Sequence, residues 1–209
     1  MGPGALRALV DYGCVMKNLR LAIKAILDKA EHYEWSLQGF GMLRLYLSRE
    51  VRLHVWSPRH AVENVSVIHD HPWDFESLVI CGRIRDVLYE DEHGPPTHHE
   101  HRILCGVGGH PVGDRMDARL LTRLDTTYFT GQSYRRTAEQ LHETSASEGA
   151  VTLVTRSFRS DPDHARVLFP FGTEWVSAEP RPATRDEVGA ITVAALNQMT
   201  DEETTWCSE

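Results

Sequence analysis

The chain has little cysteine and no excess of basic charge, and each shortage excludes a class of protein. Four cysteines in 209 residues, Cys14, Cys81, Cys105 and Cys207, are widely spaced and form no CxxC pair. That spacing supports neither a disulfide framework nor a thiolate zinc site, and it reads as free thiols in a reducing compartment. Lysine and arginine number 22 against 30 aspartates and glutamates, a formal charge of −8 with a pI near 5.8. A nucleic-acid partner would need a basic patch to replace phosphate counterions, so none is expected. No segment approaches the roughly 18 consecutive apolar residues of a membrane-spanning helix, and no membrane partner is expected. The start, Met1-Gly2-Pro3-Gly4, lacks the basic head and apolar run of a secretory signal, which leaves the cytoplasm as the expected compartment.

What remains, 41% hydrophobic and 25% charged residues, is the composition of an ordinary globular chain long enough for one buried core. Val15, Leu19, Leu21, Ile23, Ala25 and Ile26 predict one helix within Val15 to Glu31. The writing then becomes strand-like. Leu43, Leu45 and Leu47 alternate with Arg44, Tyr46 and Ser48, and Val51, Leu53 and Val55 with Arg52, His54 and Trp56. This predicts an antiparallel pair joined near Ser48 to Glu50. Further short strands are expected at 65–71, 78–89, 101–105, 126–130, 134–142, 151–156, 166–171 and 174–177. The Gly-, Pro- and His-rich stretch from Asp91 to Asp117 reads largely as a long connection or an extended hairpin. A second helix is expected from Thr184 to Met199, with Thr184 as cap and Val188, Ile191, Ala194, Ala195 and Met199 as its stripe. There is no βαβ alternation and no internal repeat, so many short strands imply a closed or sandwiched β architecture.

The chemistry concentrates in His69-Asp70-His71-Pro72-Trp73-Asp74-Phe75-Glu76. Histidines at i and i+2 on a strand share a face, and neutral imidazole is the commonest protein ligand for divalent transition metals. His142, eleven positions after Gly131, is the candidate third ligand.

These residues resemble the two motifs of the cupin superfamily, G(x)5HxH(x)3-4E(x)6G and G(x)5PxG(x)2H(x)3N. His69 and His71 match the paired ligands, Gly82 the closing glycine, and Gly131 with His142 the ends of the second motif's glycine-to-histidine interval. Several positions depart from it: Glu63 stands at the opening glycine, Thr137 and Glu139 at the proline and glycine, and Ala146 at the asparagine. Glu76 follows His71 at an allowed distance but lies one residue too close to Gly82. Keeping the full interval to Gly82 places Phe75 at the carboxylate position instead and leaves three histidines with no acidic ligand. The run His69 to Pro72 also resembles the start of the metal motif in three-histidine thiol dioxygenases.

The resemblance implies a mainly β, single cupin-type double-stranded β-helix (jelly-roll) barrel over 35–180. An N-terminal helical extension would occupy 1–34, and a C-terminal helix and tail 181–209. It implies a metal site of His69, His71 and His142, with Glu76 a fourth ligand in one register. Fe(II) is the expected metal, and Mn, Ni or Zn would suit the same ligands. The function implied is a non-haem iron oxygenase acting on a small polar metabolite. The alternatives are a nonredox metal-dependent isomerase, epimerase, decarboxylase or lyase, and a non-catalytic ligand-binding cupin. Cupins often dimerise, so a homodimer is also implied.

If 134–142 is one strand, Tyr134, Arg136, Ala138 and Gln140 share the face of His142. Arg136 is then placed to hold a substrate carboxylate, with Tyr134 and Gln140 supplying hydrogen bonds, and Arg136 and Tyr134 to orient the substrate for reaction. On the first two strands, Arg44 with Tyr46, and Arg52 with His54 and Trp56, each share a face, and either set is a candidate cavity lining. His98, His99 and His101 beside Gly94-Pro95-Pro96 read as a solvated loop.

Overall fold

A computed structural model describes residues 3–65, 67–104, 111–157, 164–174, 176 and 179–206. Cys105, Cys207 and parts of the strand expected at 174–177 lie outside the described residues. In chain order the elements are α1 (Pro3–Leu27), a 3-10 turn (Ala30–His32), β1 (Ser36–Gln38), β2 (Phe40–Tyr46), β3 (Val51–Ala61), β4 (Ile68–His69), β5 (Phe75–Cys81), β6 (Arg83–Asp91), β7 (His98–Leu104), β8 (Met116–Ala118), β9 (Leu120–Phe129), β10 (Ser133–Arg136), β11 (His142–Ala146), β12 (Val151–Arg156), β13 (His164–Pro170), β14 (Arg181–Pro182) and α2 (Arg185–Trp206).

The strands form two seven-stranded sheets whose named strands all pair antiparallel. The first runs β10-β5-β12-β3-β2-β1-β14 and the second β8-β7-β13-β4-β11-β6-β9. The protein is thus mainly β, a sandwich of jelly-roll type flanked by two helices. No helix among the described residues is long and apolar enough to cross a membrane.

The period of two decides which residues face the helices and which face the opposite sheet. Leu43 and Leu45 on β2, Leu53 and Val55 on β3, Ile80 on β5 and Val151 on β12 pack in one cluster with Met16, Ile23 and Leu27 of α1 and Val188, Ile191, Ala195 and Met199 of α2. Alternate residues point the other way. Met42, Trp56, Phe75, Val79 and Tyr134 of the first sheet meet Ile84 of the second, with Phe40, Trp73, Tyr128, Ala146 and Val154 around them. Both faces of the first sheet are therefore covered, and the space between the sheets is where inward side chains converge.

Local chemistry sets the ends of these elements. The hairpin at 47–50 closes with the Ser48 hydroxyl accepting the N–H groups of Glu50 and Val51 at 3.2 and 3.1 Å. Thr184 caps α2 in a reciprocal box: Glu187 N–H donates to the Thr184 hydroxyl, and the Glu187 carboxylate accepts the Thr184 N–H at 2.8 Å. Gly82 turns β5 into β6 at φ +80, and a Cβ there would lie 2.8 Å from that of Ala150. The position requires glycine for conformation and for space.

Several expectations shift. The first helix begins earlier than Val15 and ends at Leu27 rather than Glu31, and the second runs on to Trp206. The stretch 91–117 takes the extended-hairpin alternative, since it carries β7 and most of β8, which pair antiparallel, and His98, His99 and His101 lie on β7 rather than in a loop. His99 donates to Asp117 at 2.8 Å and His101 stacks on Phe169. Cys14 and Cys81 are free thiols.

Candidate metal centre

β4 is only two residues long. His69 ends it, and His71 lies beyond it in the segment leading to Pro72. The two imidazoles still meet, because the backbone after His69 keeps its pairing. Asp70 N–H donates to the Arg166 carbonyl at 3.1 Å, and Glu139 N–H to the His71 carbonyl at 2.9 Å. The buried Asp70 carboxylate, pointing the other way, accepts both the N–H and Nε–H of Arg166 at 2.6 Å. His142 opens β11 directly opposite His69 in the ladder.

The three rings face one another, with centroids 4.7 Å apart for His69 and His71, 4.8 Å for His69 and His142, and 5.3 Å for His71 and His142. One ligand atom from each can be chosen so that all three lie within 4.8 Å of one another, the one such group among the described residues. An ion bound at about 2.1 Å holds its nitrogens roughly 3 to 3.5 Å apart, a separation that small side-chain rotations reach.

Hydrogen bonds fix which nitrogens are available. His142 Nδ1 lies 2.8 Å from Asp86 Oδ1; an ionised carboxylate can only accept, so Nδ1 carries the proton and Nε2 its lone pair. His142 Nε2 is buried with no hydrogen-bond partner. His69 Nδ1 faces the Val67 carbonyl at 2.9 Å, which likewise leaves Nε2 as its free lone pair. Burial, aided by neighbouring His142, lowers the His69 pKa to about 3. His71 is held well below its ordinary value by burial and then by His69, His142, Arg52 and His54. Both are neutral at physiological pH, the state a metal requires.

Asp86 is the residue the sequence reading missed. It sits on β6 between the inward-facing Ile84 and Leu88, fully buried. Besides His142 it accepts Arg136 Nε–H at 2.8 Å and Arg136 Nη2–H, and the Thr144 hydroxyl at 3.2 Å. Burial alone would push its carboxyl up, but the hydrogen bonds and charges of His142 and Arg136 outweigh it and hold the pKa below its ordinary value. A carboxylate behind a ligating histidine orients the ring and raises its basicity. The signal was available: an acidic residue in phase with apolar Ile84 and Leu88 on the inward face of the strand.

The structure does not bring the other expected residues to the histidines in the roles foreseen. Glu76 lies on the opposite face of β5, its side chain 40% exposed and paired with Arg135 at 2.7 Å. Phe75 takes the inward position, 5.3 Å from His71 and 5.5 Å from His142 between ring centroids. The register that spaces Phe75 correctly from Gly82 is the one present, and the cluster has no acidic member.

The segment 134–142 is not one strand. β10 and β11 belong to different sheets, separated by a turn in which Glu139 takes φ +62. Ala138 N–H donates to Asp74 at 2.8 Å, and Arg166 reaches the Glu139 carbonyl at 2.8 Å. Gln140 folds back on the Thr137 N–H at 3.3 Å. Arg136 is inward and buried, but its donors are committed to Asp86 and to the Arg135 carbonyl. Tyr134 stacks on Tyr128 and meets Phe75 edge-on, a wall of the interior. Phe40 stacks on His69 and Trp73 on His71, which places aromatic faces against the imidazoles.

No protein-family profile matches the sequence, and no curated protein matches it. Among solved structures, one of hydroquinone 1,2-dioxygenase in complex with Cd2+ and 4-hydroxybenzonitrile is similar at 17% identity with a TM-score of 0.28. The match covers 55% of this chain and 62% of that one, and at this distance it carries no argument about activity.

Proposed function

We propose that His69, His71 and His142 hold a divalent transition metal, Fe(II) first among the candidates, and that the protein is a cupin-type oxygenase acting on a small polar metabolite. The observation that carries the reading is the convergence of three imidazoles with His142 Nε2 buried, unpartnered and turned away from Asp86. A buried nitrogen without a hydrogen bond costs about 1–3 kcal/mol, and an ion there removes that cost. The neutral N3 donor set suits Fe, Mn, Ni or Zn.

When bound, such a metal would supply redox or Lewis-acid chemistry and, with three protein ligands, about three open positions. The chain's own contribution is positional. Asp86 fixes the His142 tautomer, Arg136 neutralises Asp86, and Phe40, Phe75 and Trp73 limit how the imidazoles turn and how water reaches them. His69 and His71, whose pKa values burial lowers, stay neutral across the physiological range.

The reading is tested by loading metal-free protein anaerobically with Fe(II) and measuring oxygen uptake against a panel of small organic acids and thiols. Substrate-dependent uptake that is lost in His71→Ala supports an oxygenase. Turnover of a panel member with no oxygen consumed overturns it in favour of nonredox chemistry.

A further inference from the structure

Beyond the histidines the interior is lined by cations and aromatic rings. Because Leu43, Leu45, Leu53 and Val55 face the helices, Arg44 and Tyr46 on β2 and Arg52, His54 and Trp56 on β3 all point between the sheets. Arg44 is paired across the ladder with His54, and Tyr46 with Arg52. On the other side of β3, Thr152 and Val154 of β12 pair with His54 and Arg52, which puts Arg156 one inward position further along.

The rings tie these cations together. Arg44 and Arg52 both lie over Tyr46, at 5.0 and 4.8 Å from its centre, and Arg52 and Arg156 both lie over Trp73, at 5.2 and 5.1 Å. Trp73 in turn stacks on His71 at 5.4 Å. A continuous row therefore runs from partly exposed Tyr46, through Arg44, Arg52 and Arg156, to the candidate metal centre.

Three guanidiniums this close repel one another. Cation–π contacts of about 0.5–2 kcal/mol each offset only part of that. Among the described residues neither Arg44 nor Arg156 pairs with a carboxylate, although Arg156 donates Nε–H and Nη2–H to the Arg49 carbonyl at 3.0 and 2.7 Å. Two polar atoms in the row, Arg44 Nε and His54 Nε2, are buried with no hydrogen-bond partner. Asp86, the buried carboxylate closest to the histidines, is already taken by Arg136. The charges of Arg44 and Arg156 and the unmet Arg44 Nε–H call for an anion from outside the chain.

The geometry points to this row as the binding site for a small organic dianion, an acid with two anionic groups such as a dicarboxylate or a phosphate ester, held by Arg44, Arg52 and Arg156 against the faces of Tyr46 and Trp73. A single carboxylate is satisfied by one guanidinium fork, and would leave either Arg44 or Arg156 unmatched. That the anion is the substrate rests on the metal reading above; that it binds does not.

The test uses protein freed of metal on a chelating resin, titrated at constant ionic strength with malonate, succinate, inorganic phosphate and acetate, and followed by calorimetry and thermal unfolding. The dianions are expected to bind saturably and raise Tm, and acetate to do neither. Succinate and malonate ahead of phosphate indicates a dicarboxylate, and the reverse order a phosphate ester. Arg44→Gln and Arg156→Gln are expected to weaken the dianion at least about tenfold, while Arg123→Gln, at an exposed position of β9 in the second sheet, leaves it unchanged. Equal responses to acetate and the dianions, or parental affinity in both folded variants, overturn the proposal. The parent's anion series decides alone if a variant does not fold. Dianion binding with no metal uptake would retire the metal reading and keep this one, and metal uptake without dianion preference would do the reverse.

Discussion

Asp86 joins three side chains, His142, Arg136 and Thr144. A buried guanidinium needs an anion beside it, and Asp86 both neutralises Arg136 and aligns His142. Replacing it with Asn preserves shape and removes charge. Asp86→Asn is expected to lower stability by about 3 kcal/mol, because Arg136 is left buried without a counter-charge, and to weaken metal binding about 10- to 100-fold. Chemical denaturation and a metal titration check the two parts separately. The histidines set a pH dependence as well. Their folded pKa values lie below the ordinary 6.5, at about 3 for His54 and His69 and well down for His71, with burial the main cause in each. The unfolded chain therefore takes up protons that the fold refuses. Stability is fully present above about pH 6.5 and falls as pH drops toward 3, by about 1.4 kcal/mol per pH unit for each histidine well below 6.5. Denaturation of metal-free protein at pH 7 and pH 5 measures it, and a flat profile would contradict the buried, neutral assignment.

At the scale of elements, α2 is held at its far end by a carboxylate rather than by its apolar stripe. Glu202 accepts the Gly82 N–H at 2.6 Å, the Thr130 hydroxyl at 3.0 Å and Arg20 Nη1–H at 2.9 Å, so it ties α2 to α1 and to the β5–β6 turn. Glu202→Ala takes this carboxylate from buried Arg20, which keeps its bonds to the Ile80 and Met199 carbonyls. A loss of about 3 kcal/mol is expected, measured by denaturation, with faster amide exchange confined to the last turns of α2. This anchor explains why the sequence reading ended the helix early. Beyond Met199 the apolar period stops, and a polar tail gives no sign that one of its acids has a buried partner, Arg20, 182 residues away. The β2–β3 hairpin was legible because its alternation, Leu43-Leu45 against Leu53-Val55, is local. The break at 137–141 was not, since Glu139 has no proline or glycine to mark it and its turn is held by Asp74, His71 and Arg166 from elsewhere in the chain. Phe75 and Glu76 were separable only by the spacing to Gly82, whose positive φ fixes the phase of β5.

For the whole molecule, two sheets and two helices produce an asymmetric distribution of charge. The chain is acidic, at −8, yet the space between its sheets holds three imidazoles beside a row of arginines. That inversion could not be seen in composition. It appears only once burial shows that Arg44 and Arg52 lie on the face away from the helices, a choice that the pattern of the strands left open. His69 and His142 come from the second sheet and the arginines from the first, so the candidate site exists only where the sheets face each other. Its central claim is a metal on three histidines. The most direct measurement is the metal content of protein purified without chelators, followed by titration of the metal-free form with Fe(II), Mn, Ni and Zn. One equivalent per chain is predicted, with affinity reduced at least about 100-fold in His69→Ala and His142→Ala and unchanged in Glu76→Gln. A metal-free protein that gains no stability from any of these ions, or a His142→Ala variant that binds them as well as the parent, would contradict it.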